Sequence, residues 1–260
     1  GKGSHRIFIP YFQLLIQIIY KGIRAMARKI KIDNAILKRR QHSAPKRKVR
    51  VINCNILIVC EGEKTEPNYF RVFNKTRKGT IVYELTIDGG GINTMQVVDK
   101  AIELNSSFDY DSVWAVFDKD SFSPDQFNGA IIKARQNNIN CAWSNEAFEL
   151  WYLLHFHNRV TAMSREEYKK AISDAVNTSP KNKKKKKDYE YAKNAPNNYD
   201  IINQYGNQNA AIRWAKSLHD QFEDQRFHTH NPCTLVYKLV LQLIGEDDDL
   251  NSKLISKIES

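Results

Sequence analysis

The chain has 260 residues, 42% of them apolar, enough for one or two domains with a sizeable core. Forty Lys and Arg against 29 Asp and Glu leave a formal charge of +11, which points to a polyanionic partner, nucleic acid first and an anionic membrane surface second. Cys54, Cys60, Cys141 and Cys233 are scattered, with no CxxC pair or Cys/His cluster, which argues against zinc and suits buried thiols in a reducing cytoplasm.

Residues 1–25 stand apart. Gly1 to His5 read as an expression scar. Ile7 to Ile23 is apolar but interrupted by Pro10, Gln13, Gln17 and Lys21, and is short for a membrane span, which needs about 20 apolar residues. Met26 opens what reads as a natural start, so residues 1–25 are expected to be a leader or vector-derived segment. An amphipathic docking helix is the alternative, and no stable membrane insertion is expected. Residues 26–52 form a basic arm that includes Arg39, Arg40, Lys46, Arg47 and Lys48, with Asp33 its single acid. Such a stretch tracks phosphates or simply solubilises the chain.

Residues 53–157 alternate strand and helix patterns. Strands are expected over Asn53–Cys60, Thr80–Ile87, Ser112–Phe117 and Ile139–Trp143. Helices are expected over Glu66–Lys75, Asn93–Leu104 and Asp125–Asn137. This rhythm implies an α/β fold: an open sheet of about four mainly parallel strands, flanked by helices. Ser144-Asn145-Glu146 is expected to cap a further helix, Ala147–Phe156, whose apolar run encloses one acid, Glu149; a buried carboxylate there requires a cation, a metal or an ion pair.

Residues 158–206 are rich in Lys and Asn, with Lys181, Lys183, Lys184, Lys185, Lys186 and Lys187 closely spaced and tyrosines nearby. They read as a basic, mobile insertion that follows a single strand by charge and stacking, or as a surface loop. Residues 207–260 read as a helical C-terminal part packing on the core: a helix over Gln208–Phe222, a helix starting at Asn231-Pro232, then an acidic stretch and a short tail.

Two stretches carry the chemistry. ILIVCEGEKTEPNYF (56–70) and VWAVFDKD (113–120) are both apolar runs of strand length ending in carboxylates. Ligands bind outside the carboxyl ends of strands in open α/β sheets. If the two strands are neighbours, Glu61, Asp118 and Asp120 meet as hard oxygen donors suited to Mg²⁺ or Mn²⁺. Lys64 and Lys119 lie beside them and are candidates for neutralising phosphate charge. Gly62-Glu63-Lys64-Thr65 matches only the last third of a P-loop, which argues against ATP hydrolysis by this chain. His155, His157, His228 and His230 are more readily structural than metal-binding.

These motifs, with NEAFELWYLLHF (145–156) and NPCTLV (231–236), resemble the RloB-like family of bacterial proteins, and the strand–Glu and strand–Asp-x-Asp pair resembles a Toprim domain. The resemblance runs from about Met26 to Ile244. It implies a Toprim-like catalytic core over 53–157, with Glu61 as acid/base or metal ligand and Asp118 and Asp120 as metal ligands. It adds Glu66 and Glu149 as further catalytic candidates, although the second glutamate of OLD-type nucleases falls one position earlier, where this chain has Thr65. The implied activity is a Mg²⁺- or Mn²⁺-dependent nuclease effector of anti-phage defence, cleaving RNA, transfer RNA included, or DNA. A separate ATPase subunit and a homodimer are the partners to be expected. A non-catalytic binding module that signals to that ATPase is the competing expectation.

Overall fold

A computed structural model describes residues 51–120, 122–183 and 188–259, with side chains to residue 257. The expected leader, the basic arm as far as residue 50, and Lys184 to Lys187 lie outside the described residues. Arg50–Ser260 forms one compact unit.

The fold grows from the alternation within its central strands. In β1 (Ile52–Cys60), Cys54, Ile56, Ile58 and Cys60 point into one apolar layer, while Leu57 and Val59 point into another. In β4 (Ser112–Asp118), Trp114 and Val116 face the first layer, and Val113, Ala115 and Phe117 the second. A strand buried on both faces carries no polar face, so these segments read as continuous apolar runs. Between them in sequence come α1 (Thr65–Arg71), the two-residue β2 (Arg77–Lys78), β3 (Ile81–Gly89) and α2 (Thr94–Ser107). After β4 follow α3 (Pro124–Gln136), β5 (Asn140–Asn145) and the short α4 (Glu149–Leu153).

The sheet has six strands in the order β2-β3-β1-β4-β5-β6, where β6 is Cys233–Thr234. The β1–β3, β1–β4 and β4–β5 pairs are parallel. The two edge strands are antiparallel and two residues long, which corrects the expected count of about four. Two-residue pairings leave almost no periodic signal, and short edges suit a sheet that must not recruit further strands. The parallel heart matches the expectation.

Helices α2 and α3 cover the second layer through Val97, Val98, Ala101, Phe127, Ala130, Ile131 and Ala134. Both begin with capping boxes, Asn93 with Gln96 and Ser123 with Gln126. Each box satisfies backbone N–H groups that the first turn leaves unpaired. The first layer is larger and more aromatic, built around Tyr69, Phe70, Phe148, Trp151 and Tyr152. It is closed by α7 (Gln208–His219), α8 (Val236–Leu243) and α9 (Asp248–Glu259), the last standing where a short tail was expected. Asn231-Pro232 is a cis peptide leading into β6, not the helix start expected there.

The mobile insertion expected over 158–206 is corrected. Within it α5 (Arg165–Thr178) and α6 (Asn198–Tyr205) form regular helices. Tyr168, Ile172, Ala175 and Val176 are buried on α5, and Tyr191 and Ile202 are buried further along. Their spacing along α5 is a helical stripe. The surrounding lysines and asparagines dominate the composition without removing that stripe. Among the described residues no helix is long and apolar enough to cross a membrane.

Candidate functional site

The site is set by the register of β1 against β4. Cys60 pairs with Val116, so Glu61 and Asp118 leave the sheet at the same edge. The Glu61 N–H donates to Val116 O at 2.9 Å, and the Asp118 N–H donates to Glu61 Oε2 at 3.1 Å. The two acids are thereby tied together across neighbouring strands. Beyond Asp118 the chain is held to β5 and its loop: the Lys119 N–H donates to Ser144 O at 2.8 Å and the Asp120 N–H to Glu146 O at 3.3 Å. Asp120 adopts a positive φ of 36°, a conformation Asp tolerates better than most side chains.

Glu66 enters from the first turn of α1 and is buried against Gly62. A Cβ at Gly62 would stand 2.3 Å from Glu66 Oε2, so the glycine makes room for the carboxylate. Glu149, at the start of α4, is 4% exposed. Tyr191 OH donates to its Oε1 at 3.0 Å, and its buried Oε2 has no hydrogen-bond partner. Among the described residues no ion pair reaches Glu149; Arg165, at the first position of α5, lines a cavity with it but pairs with the Asp residues instead. Arg165 Nη1 binds Asp120 Oδ2, and Nη2 stands 3.5 Å from Asp118 Oδ2.

A cavity of about 630 Å³ opens here, lined among others by Glu61, Glu66, Asp118, Asp120, Arg165 and Lys193. Lys64 and Lys193 line it, and both are exposed. Lys119 does not line it: its ammonium donates to Phe122 O at 2.8 Å and Asp120 O at 3.3 Å, bracing the loop that carries the Asp pair. Lys183 is exposed on the surface. Glu63 touches the Gly91 turn at the cavity rim. Arg165 and Lys193 are residues that sequence reasoning missed. Ser164-x-x-Glu167 is a legible capping box that would have placed Arg165 at a helix start. No sequence signal points to Lys193, which is brought in where Thr65 Oγ1 donates to its carbonyl at 2.8 Å.

So many acids crowded together, with Glu66 and Asp118 buried, oppose their own ionisation. Burial, and then the charges of Glu66 and Asp120, push the Glu61 carboxyl up to about 7, against the Asp118 N–H and Arg165. Burial raises Glu66, helped by Glu149 and opposed by Lys193. Asp118 is raised well above the carboxylate range by burial and by the charges of Glu66, Glu149 and Glu61.

The donors are hard oxygens, and like-charged carboxylates crowded together suit a divalent cation; Glu149, with its unpaired Oε2, lines the neighbouring cavity. Yet among the described residues no three Asp, Glu, His or Cys side chains converge closely enough to hold an ion, and a guanidinium stands on the Asp pair instead. His155 is a core residue: it is buried, its Nδ1 is 2.9 Å from Trp151 O, and burial lowers it to about 4. His228 and His230 bind Asn128 and Asp224 away from the cavity. The four cysteines are free thiols.

A mixed α/β protein whose neighbouring parallel strands end in a shared acidic cavity is the class defined by this fold and site. Residues 56–243, well over half of the chain, match the family model described as RloB-like protein. The chain belongs to the RloB-like family. No curated protein and no solved structure matches it.

Proposed function

We propose that the acidic cavity is the active site of a divalent-metal-dependent phosphodiesterase acting on nucleic acid, carried on a Toprim-like sheet and serving as an effector of bacterial anti-phage defence. RNA, transfer RNA included, is the first substrate and DNA the second. The observation that carries this reading is the 3.1 Å bond from the Asp118 backbone N–H to Glu61 Oε2, which holds the Glu61 carboxylate at the strand end that carries Asp118 and Asp120. Glu61, Asp118 and Asp120 are the residues to hold Mg²⁺ or Mn²⁺. Bound there, such an ion supplies Lewis-acid stabilisation of the phosphoryl charge and lowers the pKa of water. Burial raises the Glu61 carboxyl to about 7, which suits it to hold a proton near neutral pH. Lys64 and Lys193 face the cavity and balance phosphate charge. The net charge of +11, concentrated in the arm before residue 52 and in Lys183–Lys187, supplies non-specific affinity for the strand. The absence of a P-loop fits a separate ATPase partner.

The test is to incubate purified protein with Mn²⁺ or Mg²⁺ and a panel of tRNA, mRNA, single-stranded DNA and duplex DNA. Glu61→Ala and the Asp118→Ala/Asp120→Ala pair are expected to abolish cleavage of whichever substrate is cut. Undiminished cleavage by both variants rules the site out.

The contact of Arg165 with the Asp pair favours a second reading, a nucleic-acid or phage-protein binding module that signals to a partner ATPase. It predicts retained nucleic-acid affinity with no Mn²⁺ or Mg²⁺ binding at millimolar concentration.

A further inference from the structure

We propose that Arg165 is an exchangeable counter-cation, holding Asp118 and Asp120 in the metal-free protein and competing with a divalent cation for them. The inference rests on the metal-dependent reading of the same cavity.

Three observations converge on it. The Asp118 side chain is 7% exposed and stands among Glu61, Glu66 and Glu149, so it can ionise only beside a counter-charge. Arg165 provides one by reaching two carboxylates with two different nitrogens, and the same two residues are among those that would hold a divalent ion. A guanidinium stays charged, so it leaves the pair only by moving.

The second observation is the position of Arg165 on α5. A cation at a helix N-terminus faces the positive end of the helix dipole, the unfavourable end. Nothing in the helix itself calls for Arg at its first position, and the Asp pair is what offsets the cost.

The third is the contrast between anchor and side chain. The start of α5 is fixed: Ser164 N–H and Oγ both donate to Glu167 Oε2, at 2.8 and 2.6 Å, and Tyr168 is buried. The Arg165 side chain is 32% exposed and lines both the acidic cavity and a neighbouring one of about 590 Å³ that contains Glu166, Lys169 and Glu190. It therefore has room to swing from one cavity to the other without moving the helix. Glu166 lines the second cavity, as does Glu149 with its unpaired Oε2, and both offer a carboxylate there, whereas Glu190 is already paired with Lys169 at 3.2 Å.

The experiment titrates the full chain, freed of metal with chelator, with Mn²⁺ by calorimetry, comparing wild type with Arg165→Gln and Arg165→Lys. Far-UV circular dichroism and melting curves run alongside. Arg165→Gln is expected to bind Mn²⁺ at least about tenfold more tightly, since no charge-assisted pair need be broken first. Its metal-free form is expected to melt lower than wild type and to recover more on adding Mn²⁺. Arg165→Lys keeps the charge but not the two-nitrogen reach, so its affinity is expected to rise less and in the same direction. It serves as the test if the Gln variant does not fold. Equal or weaker Mn²⁺ binding by a folded variant, with wild type binding normally, overturns the inference and leaves the metal site standing. No binding by any of the three overturns both.

Discussion

Neutralising Glu61 in place is expected to stabilise the metal-free protein at neutral pH and to do nothing in acid. Glu61→Gln keeps shape and size, and its amide oxygen still accepts the Asp118 N–H at about the present 3.1 Å. Burial and the neighbouring Glu66 and Asp120 charges move the wild-type carboxyl from 4.5 to about 7. Below pH 4.5 the carboxyl is protonated in folded and unfolded chains alike, and its contribution is fully present. Between 4.5 and 7 the unfolded chain ionises first, and stability is lost until the folded carboxyl ionises too.

At about 1.4 kcal/mol per pH unit the full cost is about 3 kcal/mol, and partial exposure of Glu61 brings the expectation down to about 1–2 kcal/mol. For a compact unit of this size that is a rise of roughly 2–8 °C in melting temperature. The assay is differential scanning calorimetry with chelator present, at half-unit steps from pH 4.5 to 8. Glu61→Gln should melt with wild type at the acid end and above it at pH 8. A gap that is independent of pH, or a variant less stable than wild type at pH 8, refutes the electrostatic account of this cavity.

Gly62→Ala places a Cβ 2.3 Å from Glu66 Oε2, so the carboxylate must move; denaturant unfolding is expected to show a loss of about 1–3 kcal/mol, which Gly62→Ala/Glu66→Ala together relieves. Tyr191→Phe takes from Glu149 Oε1 its 3.0 Å hydrogen bond while Oε2 is already unpaired, and should cost about 1–3 kcal/mol by the same measurement. Replacing Lys183, Lys184, Lys185, Lys186 and Lys187 by Ser should flatten the dependence of log affinity on log salt for single-stranded nucleic acid by about 0.7 for each phosphate that is no longer neutralised; an unchanged slope removes that segment from the binding surface.

Much of the centre of this protein is legible in sequence. Ile56–Cys60 and Val113–Phe117 are uninterrupted apolar runs because both sheet faces are covered, and their abrupt carboxylate ends mark the edge where the acidic cavity opens. Helices α2 and α3 announce themselves through their stripes and their Asn93 and Ser123 caps. What the sequence hides is short or distant. The edge pairings β2 and β6 are too brief to show a period. The stripe of α5 lies beneath a surface of lysines and glutamates, so composition read it as loop.

By itself, then, the sequence determined an α/β sheet, the Glu61, Asp118 and Asp120 carboxylates at its edge, and the burial of Glu149 in an apolar run, although the helix there spans only Glu149–Leu153 and not the expected Ala147–Phe156. Only the tertiary structure decided what those acids face. Arg165 lies 47 residues from Asp118 and Tyr191 lies 42 from Glu149. Lys119, adjacent to the acids in sequence, instead braces its own loop. Strand periodicity is a local property and fixes which way a side chain points. The partner of a buried charge is chosen by long-range packing, since the low-dielectric cavity demands a counter-charge without specifying where in the chain it must come from.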